Sequence, residues 1–168
     1  MYYDPSKGHG LPHNPFNAIV SPRPIGWVST RSKDGIDNLA PYSFFNAVAY
    51  TPPQVMFSAT SAKADQDGTK DTVANIRETG VFCVNIVSEK QLSEMNKSSQ
   101  ALSKEIDEFE FSDIEKQECN AINCSLVAGG PAALECKMIQ IVKLSGQANF
   151  AVFGPVSYTH LTLPTSFL

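Results

Sequence analysis

The sequence predicts a mainly β domain with flanking helices, closed into a small barrel. Three observations carry that expectation. Short apolar runs of strand length recur along the chain, separated by eleven prolines and ten glycines. Only two stretches carry clear helix start and stop signals. One alternating run extends over eleven residues, where five or six is usual, and long curved strands with short turns suit a closed barrel. A length of 168 residues is one domain's worth of chain.

The elements follow in order. Ile25-Gly26-Trp27-Val28-Ser29-Thr30 reads as a strand after the rigid entry Ser21-Pro22-Arg23-Pro24. Asp34-Gly35 is a turn signal, and Asn38-Leu39-Ala40 starts the returning strand. Gln54 to Ala59 is a third strand, entered through Thr51-Pro52-Pro53. Val81 to Val87 is a fourth, nearly continuous in apolar character and therefore central. Asp71 to Gly80 predicts a helix with an acidic N-cap and a terminal glycine, and Val73 and Ile76 form its apolar stripe. Ser88 caps a second helix through Gln91, Leu92 and Met95. The acidic run Glu105 to Glu110 reads as a solvated face or loop. Leu134 to Leu144 is the long alternating strand, and Gln147 to Phe153 begins its hairpin partner.

Composition narrows the function classes. Hydrophobic residues make up 42% and charged ones 18%, against roughly 25% charged in an average domain, which excludes disorder, collagen and coiled coil. No apolar run approaches the roughly 18 residues a spanning helix needs, so no membrane role is expected. The start Met1-Tyr2-Tyr3-Asp4-Pro5 lacks a signal peptide's basic and apolar regions. A net charge of −4 argues against nucleic acid as a partner. Cys83, Cys119, Cys124 and Cys136 form no CxxC pair, so reduced thiols in a cytoplasm are expected, with no metal site. Cys83 and Cys136 fall in strands and belong to the core, while Cys119 and Cys124 fall in a loop-like stretch. His9 and His13 are separated by Gly10 and Pro12, which breaks any helix that would align them.

Two segments point to chemistry. Asn38-Leu39-Ala40-Pro41-Tyr42-Ser43-Phe44-Phe45-Asn46-Ala47 is dense in aromatic and hydroxyl groups. Aromatics offer a face to a planar ring, and Thr30, Ser43 and Asn46 offer hydrogen bonds to its heteroatoms. Gly68-Thr69-Lys70-Asp71-Thr72 opens the first helix, where free backbone N–H groups, the Lys70 charge and the Thr72 hydroxyl make a phosphate cradle. Asp71 is expected to cap the helix and turn away. No Ser-His-Asp, Cys-His or paired-carboxylate arrangement stands out, and no GxGxxG follows a strand. No catalytic acid or base is therefore named.

Together Arg23 to Thr30, Asn38 to Ala47, Pro52-Pro53, Lys70-Asp71-Thr72 with Asn75-Ile76-Arg77, and Val84-Asn85 resemble the flavin reductase-like, FMN-binding split-barrel family. Asp107-Glu108-Phe109 and Leu134-Glu135-Cys136 also fit it, and the resemblance runs from about Asn17 to Phe153. It implies a six-stranded Greek-key split barrel with flanking helices, usually a homodimer with FMN near the subunit interface. It places Trp27, Val28, Ser29 and Thr30, with Ala40, Pro41, Tyr42, Ser43, Phe44 and Asn46, around the flavin ring, and Ser58, Lys70 and Thr72 near the phosphate. Arg23 either joins them or braces its loop. The implied activity is NADH- or NADPH-dependent flavin reduction, with FAD as an alternative flavin and a flavin-dependent monooxygenase as the downstream partner. A flavin-binding electron carrier without reductase turnover is the alternative.

The end of the chain stands apart. Val156 to Thr165 is the peptide that the codons gtc tct tat aca cat ctg acg ctg ccg acg would encode, and that string resembles a transposase-based sequencing adapter read in frame. On this reading residues 1–155 are the split-barrel domain, C-terminally truncated, and residues 156–168 are a foreign tail. The strand from Gln147 is then expected to be cut short, with the family's closing strand and C-terminal helix missing.

Overall fold

The structure is a computed structural model that describes residues 2–63 and 68–162. The tail residues 163–168 lie outside the described residues. After a 3-10 turn at Pro5–Lys7 come α1 (Pro15–Ile19), β1 (Gly26–Arg31), β2 (Asp37–Tyr42), β3 (Phe45–Tyr50) and β4 (Pro53–Ala59). Then follow α2 (Asp71–Thr79), β5 (Val81–Ile86), α3 (Leu92–Lys97), α4 (Glu108–Ser112), β6 (Lys116–Glu118) and β7 (Ser125–Val127). The chain closes with β8 (Ala132–Lys137), β9 (Gln140–Lys143) and β10 (Phe150–Leu161). Eight strands form one curled antiparallel sheet in the order β2-β1-β5-β8-β10-β4-β3, with β9 also on β10. β6 and β7 form a separate hairpin. This is the expected mainly β split-barrel architecture. No described helix is long and apolar enough to cross a membrane.

Strand alternation builds two layers of core from one sheet. Val28, Tyr42, Phe57, Phe82, Val84 and Val152 fill the barrel, and α2 adds Val73 and Ile76 to them. On the opposite face Trp27 and Leu39 pack with Met95 of α3, Phe109 of α4 and Val127 of β7. Buried Asp37 ties the β6–β7 hairpin to the sheet: it accepts from Arg31 Nε at 2.8 Å, Lys116 Nζ at 2.9 Å and Ser125 Oγ at 2.8 Å.

Several elements differ from expectation. The run 134–144 divides at Met138, whose N–H donates to the Gly80 carbonyl, while Ile139 N–H turns to the Phe153 carbonyl. β8 therefore pairs with β5, and β9 pairs with the first half of β10. The segment after Tyr42 is not a long loop: Ser43 and Phe44 turn the chain directly into β3. These two differences raise the sheet to eight strands. The acidic run is not wholly solvated, because Asp107 caps α4 through Phe109 N–H at 2.8 Å and buries Glu108 and Phe109. α2 starts one residue early, with Lys70 as N-cap and no side-chain capping bond, and ends at Gly80 with φ 74°. Asp71 instead pairs with Lys63. Ser88 does begin the next turn, its hydroxyl donating to Gln91 Oε1 at 2.9 Å. Cys124 is buried beside Cys83, and Cys119 is half-buried next to them.

β10 does not stop at Pro155. It bends there, leaves β4 and continues to Leu161 along β8, with a register shift between Val156 and Tyr158. Gly154 sits at the bend, where an added Cβ would lie 2.8 Å from both the Lys137 carbonyl and the Phe82 ring. A strand that changes neighbours this closely has room only for glycine.

Candidate functional site

The β2–β3 turn forms one wall of the candidate cleft. β2 ends at Tyr42, whose ring packs in the barrel 4.7 Å from that of Phe57. Ser58 N–H donates to the Phe44 carbonyl at 2.8 Å, which fixes the turn on β4. Lys70 enters from the start of α2, and Asn17 and Arg23 enter from the N-terminal segment. With Pro41, Ser43 and Thr60, these residues line a cleft of about 300 Å³.

Two cations face this cleft from opposite elements. The Lys70 ammonium lies 5.6 Å from the Tyr42 ring centroid, and none of the described carboxylates pairs with it. Burial holds its pKa below the ordinary lysine value. A half-buried ammonium without a counter-charge is costly, and an anion in the cleft relieves that cost. α2 begins at the same place and adds the positive end of its dipole. Arg23 lies across the cleft with its guanidinium 5.3 Å from the Phe44 ring centroid. The arrangement suits a phosphate, with Ser43, Ser58 and Thr60 also lining the cleft.

Behind Tyr42 and Lys70 is a smaller cavity of about 100 Å³, walled by Ala40, Asn38, Asp71 and Glu108. Its floor is a buried polar chain. Thr72 Oγ1 donates to Asn38 Oδ1 at 2.7 Å, and Asn75 Nδ2 donates to Thr30 Oγ1 at 3.1 Å. Asn38 Nδ2 and Leu39 N–H donate to Glu108 Oε2 at 3.0 and 3.1 Å. Burial, with the nearby Asp71 charge adding to it, pushes the Glu108 carboxyl up to about 7. The Tyr42 hydroxyl is buried here with no hydrogen bond among the described residues, and burial raises its pKa.

The cleft brings together seven of the residues singled out in the sequence: Arg23, Pro41, Tyr42, Ser43, Phe44, Ser58 and Lys70. Ala40 lines the cavity behind them. The side chains of Trp27, Val28, Ser29 and Thr30 are wholly buried elsewhere. Trp27 Nε1–H donates to Ser98 Oγ at 2.9 Å, and Ser29 Oγ donates to the Ser125 carbonyl at 2.6 Å. Thr72 turns into the polar chain rather than the cleft, and Asn46 lies on the exposed side of β3. Sequence reasoning missed Asn17, Thr60 and Glu108. Two signals for Glu108 were available: the N-cap pattern at Asp107, which predicts a helix that must bury one face, and the Asp107-Glu108-Phe109 stretch that shares in the family resemblance.

Residues 20–161 match the flavin reductase like domain family. An uncharacterised protein of Aquifex aeolicus is 40% identical over 124 residues, which is 74% of this chain and 62% of that protein. The chain thus spans less than two thirds of that relative's length. Nitrilotriacetate monooxygenase component B of Bacillus cereus superposes with a TM-score of 0.85 at 27% identity, covering 96% of this chain and 81% of that one. The 2-nitrobenzoate 2-nitroreductase of Pseudomonas fluorescens gives a TM-score of 0.80, also at 27% identity, covering 96% and 77%.

Proposed function

The chain belongs to the flavin reductase like domain family, a family of flavin-related oxidoreductases, and from that premise we propose that it binds FMN and reduces it with NADH or NADPH. The reduced flavin then serves a partner monooxygenase, a reading supported by the likeness to the Bacillus cereus component B. The observation that carries the cofactor choice is Lys70, a half-buried ammonium with no carboxylate partner among the described residues, at the edge of a cleft lined by Ser43, Ser58 and Thr60. A phosphate supplies the missing counter-charge, which riboflavin lacks; FAD is the other phosphate-bearing candidate.

The chain's own residues have three tasks in this reading. Lys70, Ser43 and Ser58 hold the phosphate. Pro41, Tyr42 and Phe44 form the wall for the ring, and Val28 packs in the same core cluster as Tyr42. When bound, the flavin supplies the hydride-accepting chemistry. The protein orients it and covers one face, so no side chain need titrate in the hydride step. NADH or NADPH approaches the open face directly, in keeping with a sequence that lacks a dinucleotide fingerprint. A second copy of the chain completes the site across β3. Ala47, Val48, Ala49 and Tyr50 are all exposed on this edge strand, which favours an occupant.

The deciding experiment titrates purified protein with FMN and follows quenching of flavin fluorescence, then monitors NADH and NADPH consumption with flavin present. Saturable quenching with steady turnover is expected. Absence of quenching would sink flavin binding, and quenching without turnover would make the chain an electron carrier.

A further inference from the structure

Three thiols gather in a core cluster separate from the one that holds Tyr42: Cys83 of β5 and Cys124, with Cys119 packed against them. The flavin reading gives them no task. Among the described residues, no three His, Cys, Asp or Glu side chains are placed to hold a metal ion. Cys119 and Cys124 close the β6–β7 hairpin, one step past the Glu118–Ser125 pair, and Cys119 N–H donates to the Cys124 carbonyl at 2.9 Å. Residues opposed in this way share one face, with Cα atoms about 4.5–5.5 Å apart. A disulfide spans roughly 4.4–6.8 Å between Cα atoms, so the backbone already has the spacing. It is also held in place. Asn120 and Ala121 N–H donate to Glu135 at 2.7 and 2.6 Å, and Arg31 Nη1 donates to Glu118 Oε2 at 2.9 Å and Asn123 Oδ1 at 2.8 Å. Cys124 is buried, whereas Cys119 is half-buried between the exposed residues Glu118 and Asn120. An oxidant arriving from solvent meets Cys119 first.

We infer that Cys119 and Cys124 are a reversible oxidation site, with Cys119 the thiol attacked by hydrogen peroxide and Cys124 the thiol that resolves it into a disulfide. The inference draws on no part of the cleft. In the first step Cys119 Sγ attacks one peroxide oxygen, and the O–O bond breaks. The leaving hydroxide takes the Cys119 proton and departs as water, so the sulfur becomes a sulfenic acid as peroxide is reduced. In the second step Cys124 Sγ attacks the Cys119 sulfur. The S–S bond forms, the S–O bond breaks, and a second water leaves with the Cys124 proton. The Cys124 thiol hydrogen-bonds to Cys119 and favours its thiolate, but the Cys83 thiol and burial outweigh this and push the Cys119 pKa up. The resting pair is therefore protonated, in keeping with reduced thiols, and the first step is slow. The second is fast, because its partner is already in contact. Cys83 is wholly buried in a strand paired on both sides, with Ser29 and Glu135, and has no such freedom to reach across.

The test treats the reduced, unaltered protein with hydrogen peroxide at a dose that converts free glutathione to its disulfide. Remaining thiols are then alkylated under denaturing conditions, and tryptic peptides are weighed. Trypsin cuts after Lys116 and Lys137, so Cys119, Cys124 and Cys136 share the peptide 117–137, while Cys83 lies alone in 78–90. Peptide 117–137 is expected to lose two hydrogens and two of its three alkyl groups, with Cys136 still alkylated, and dithiothreitol should restore all three. Cys83 should be alkylated throughout. In Cys124→Ala a sulfenic acid should accumulate on Cys119, trapped by dimedone, and in Cys119→Ala the Cys124 thiol should survive the same dose. Full alkylation of the treated, unaltered protein overturns the site. So does a link between peptides 78–90 and 117–137, or a disulfide-bonded dimer on a non-reducing gel. Oxidation of Cys124 in Cys119→Ala overturns the order of attack. The mapping on the unaltered protein decides the pairing even if either variant fails to fold.

Discussion

Replacing Lys70 by methionine separates its binding role from any structural one. The substitution keeps most of the stem that packs near the Tyr42 ring and deletes only the charge. A charge-assisted contact to phosphate is worth about 1.5–3 kcal/mol when well enclosed. Lys70 is only half-buried, so water screens part of that, and the lower end applies: about tenfold weaker FMN binding. Riboflavin affinity should hardly move, because it has no phosphate to lose. The unliganded protein should respond in the opposite sense. Burial lowers the lysine's pKa, so the unfolded chain holds the proton more strongly than the folded one. The residue therefore costs stability at neutral pH, and that cost disappears only above its ordinary value of 10.5. Lys70→Met should leave the apo melting temperature at pH 7 unchanged or raise it. Paired titrations with FMN and riboflavin, and apo melts at pH 7, check both arms. Equal loss of the two flavins, or an apo melting temperature that falls by several degrees, would refute the reasoning and make Lys70 a structural residue.

Two further outcomes follow from single side chains. Glu108 has a folded-state pKa raised to about 7, so its contribution is fully present below its unfolded value and is lost as pH rises through 7. Glu108→Gln should remove that loss and make stability nearly flat between pH 5 and 8, a difference on the order of 2 kcal/mol at pH 8; parallel pH-dependent slopes in denaturant melts would contradict it. Gly154→Ala places a methyl 2.8 Å from the Lys137 carbonyl and the Phe82 ring. Overpacking of this kind costs about 1–3 kcal/mol, read as a lower denaturant midpoint, and an unchanged midpoint would mean that β10 bends elsewhere.

Much of this fold is legible in local pattern, and what is not legible has one physical cause. Val73 and Ile76 at helical spacing, closed by Gly80, define α2 because a short helix must bury one stripe. The apolar continuity of Val81 to Ile86 marks a strand covered on both faces, and β5 does lie inside the sheet. Partner choice leaves no such mark. Met138 and Ile139 continue the alternation of Leu134 to Lys137, yet their N–H groups turn to Gly80 and Phe153. Glu108 reads as one more solvated acid until Asn38 and Leu39, about seventy residues away in sequence, close on it. The same holds at the cleft. Lys70, Ser58 and the Pro41-to-Phe44 segment were visible as chemistry-bearing types, whereas Thr72 and Thr30 carry the same hydroxyl and spend it on Asn38. Residue type shows what a side chain is able to bind, and only the long-range pairing shows which neighbour takes it.

The reading of residues 156–168 as a foreign tail has its own test, because β10 runs into that tail. A strand can accept foreign side chains when its backbone does the pairing. Val156 to Leu161 are rich in β-branched and aromatic residues, which suits a strand whatever their origin. They pair with β8 from Cys136 to Ala132. Ser157, Tyr158 and Thr159 are exposed, so their identities matter little. His160 is the inward contact, with Nε2 2.6 Å from Glu135 Oε1. Glu135 is wholly buried but already accepts from the Asn120 and Ala121 N–H groups at 2.7 and 2.6 Å. If the tail is foreign, that carboxylate was satisfied before His160 met it, and His160→Ala should cost less than about 1 kcal/mol. A buried pair that evolved together should instead cost about 3–5 kcal/mol when one partner is removed. Melts of His160→Ala measure this directly, and sequencing the locus from genomic DNA across Pro155 supplies the independent check. Genomic codons that continue through Val156 to Thr165, or a loss of several kcal/mol in His160→Ala, would make the segment native and extend the domain through Leu161.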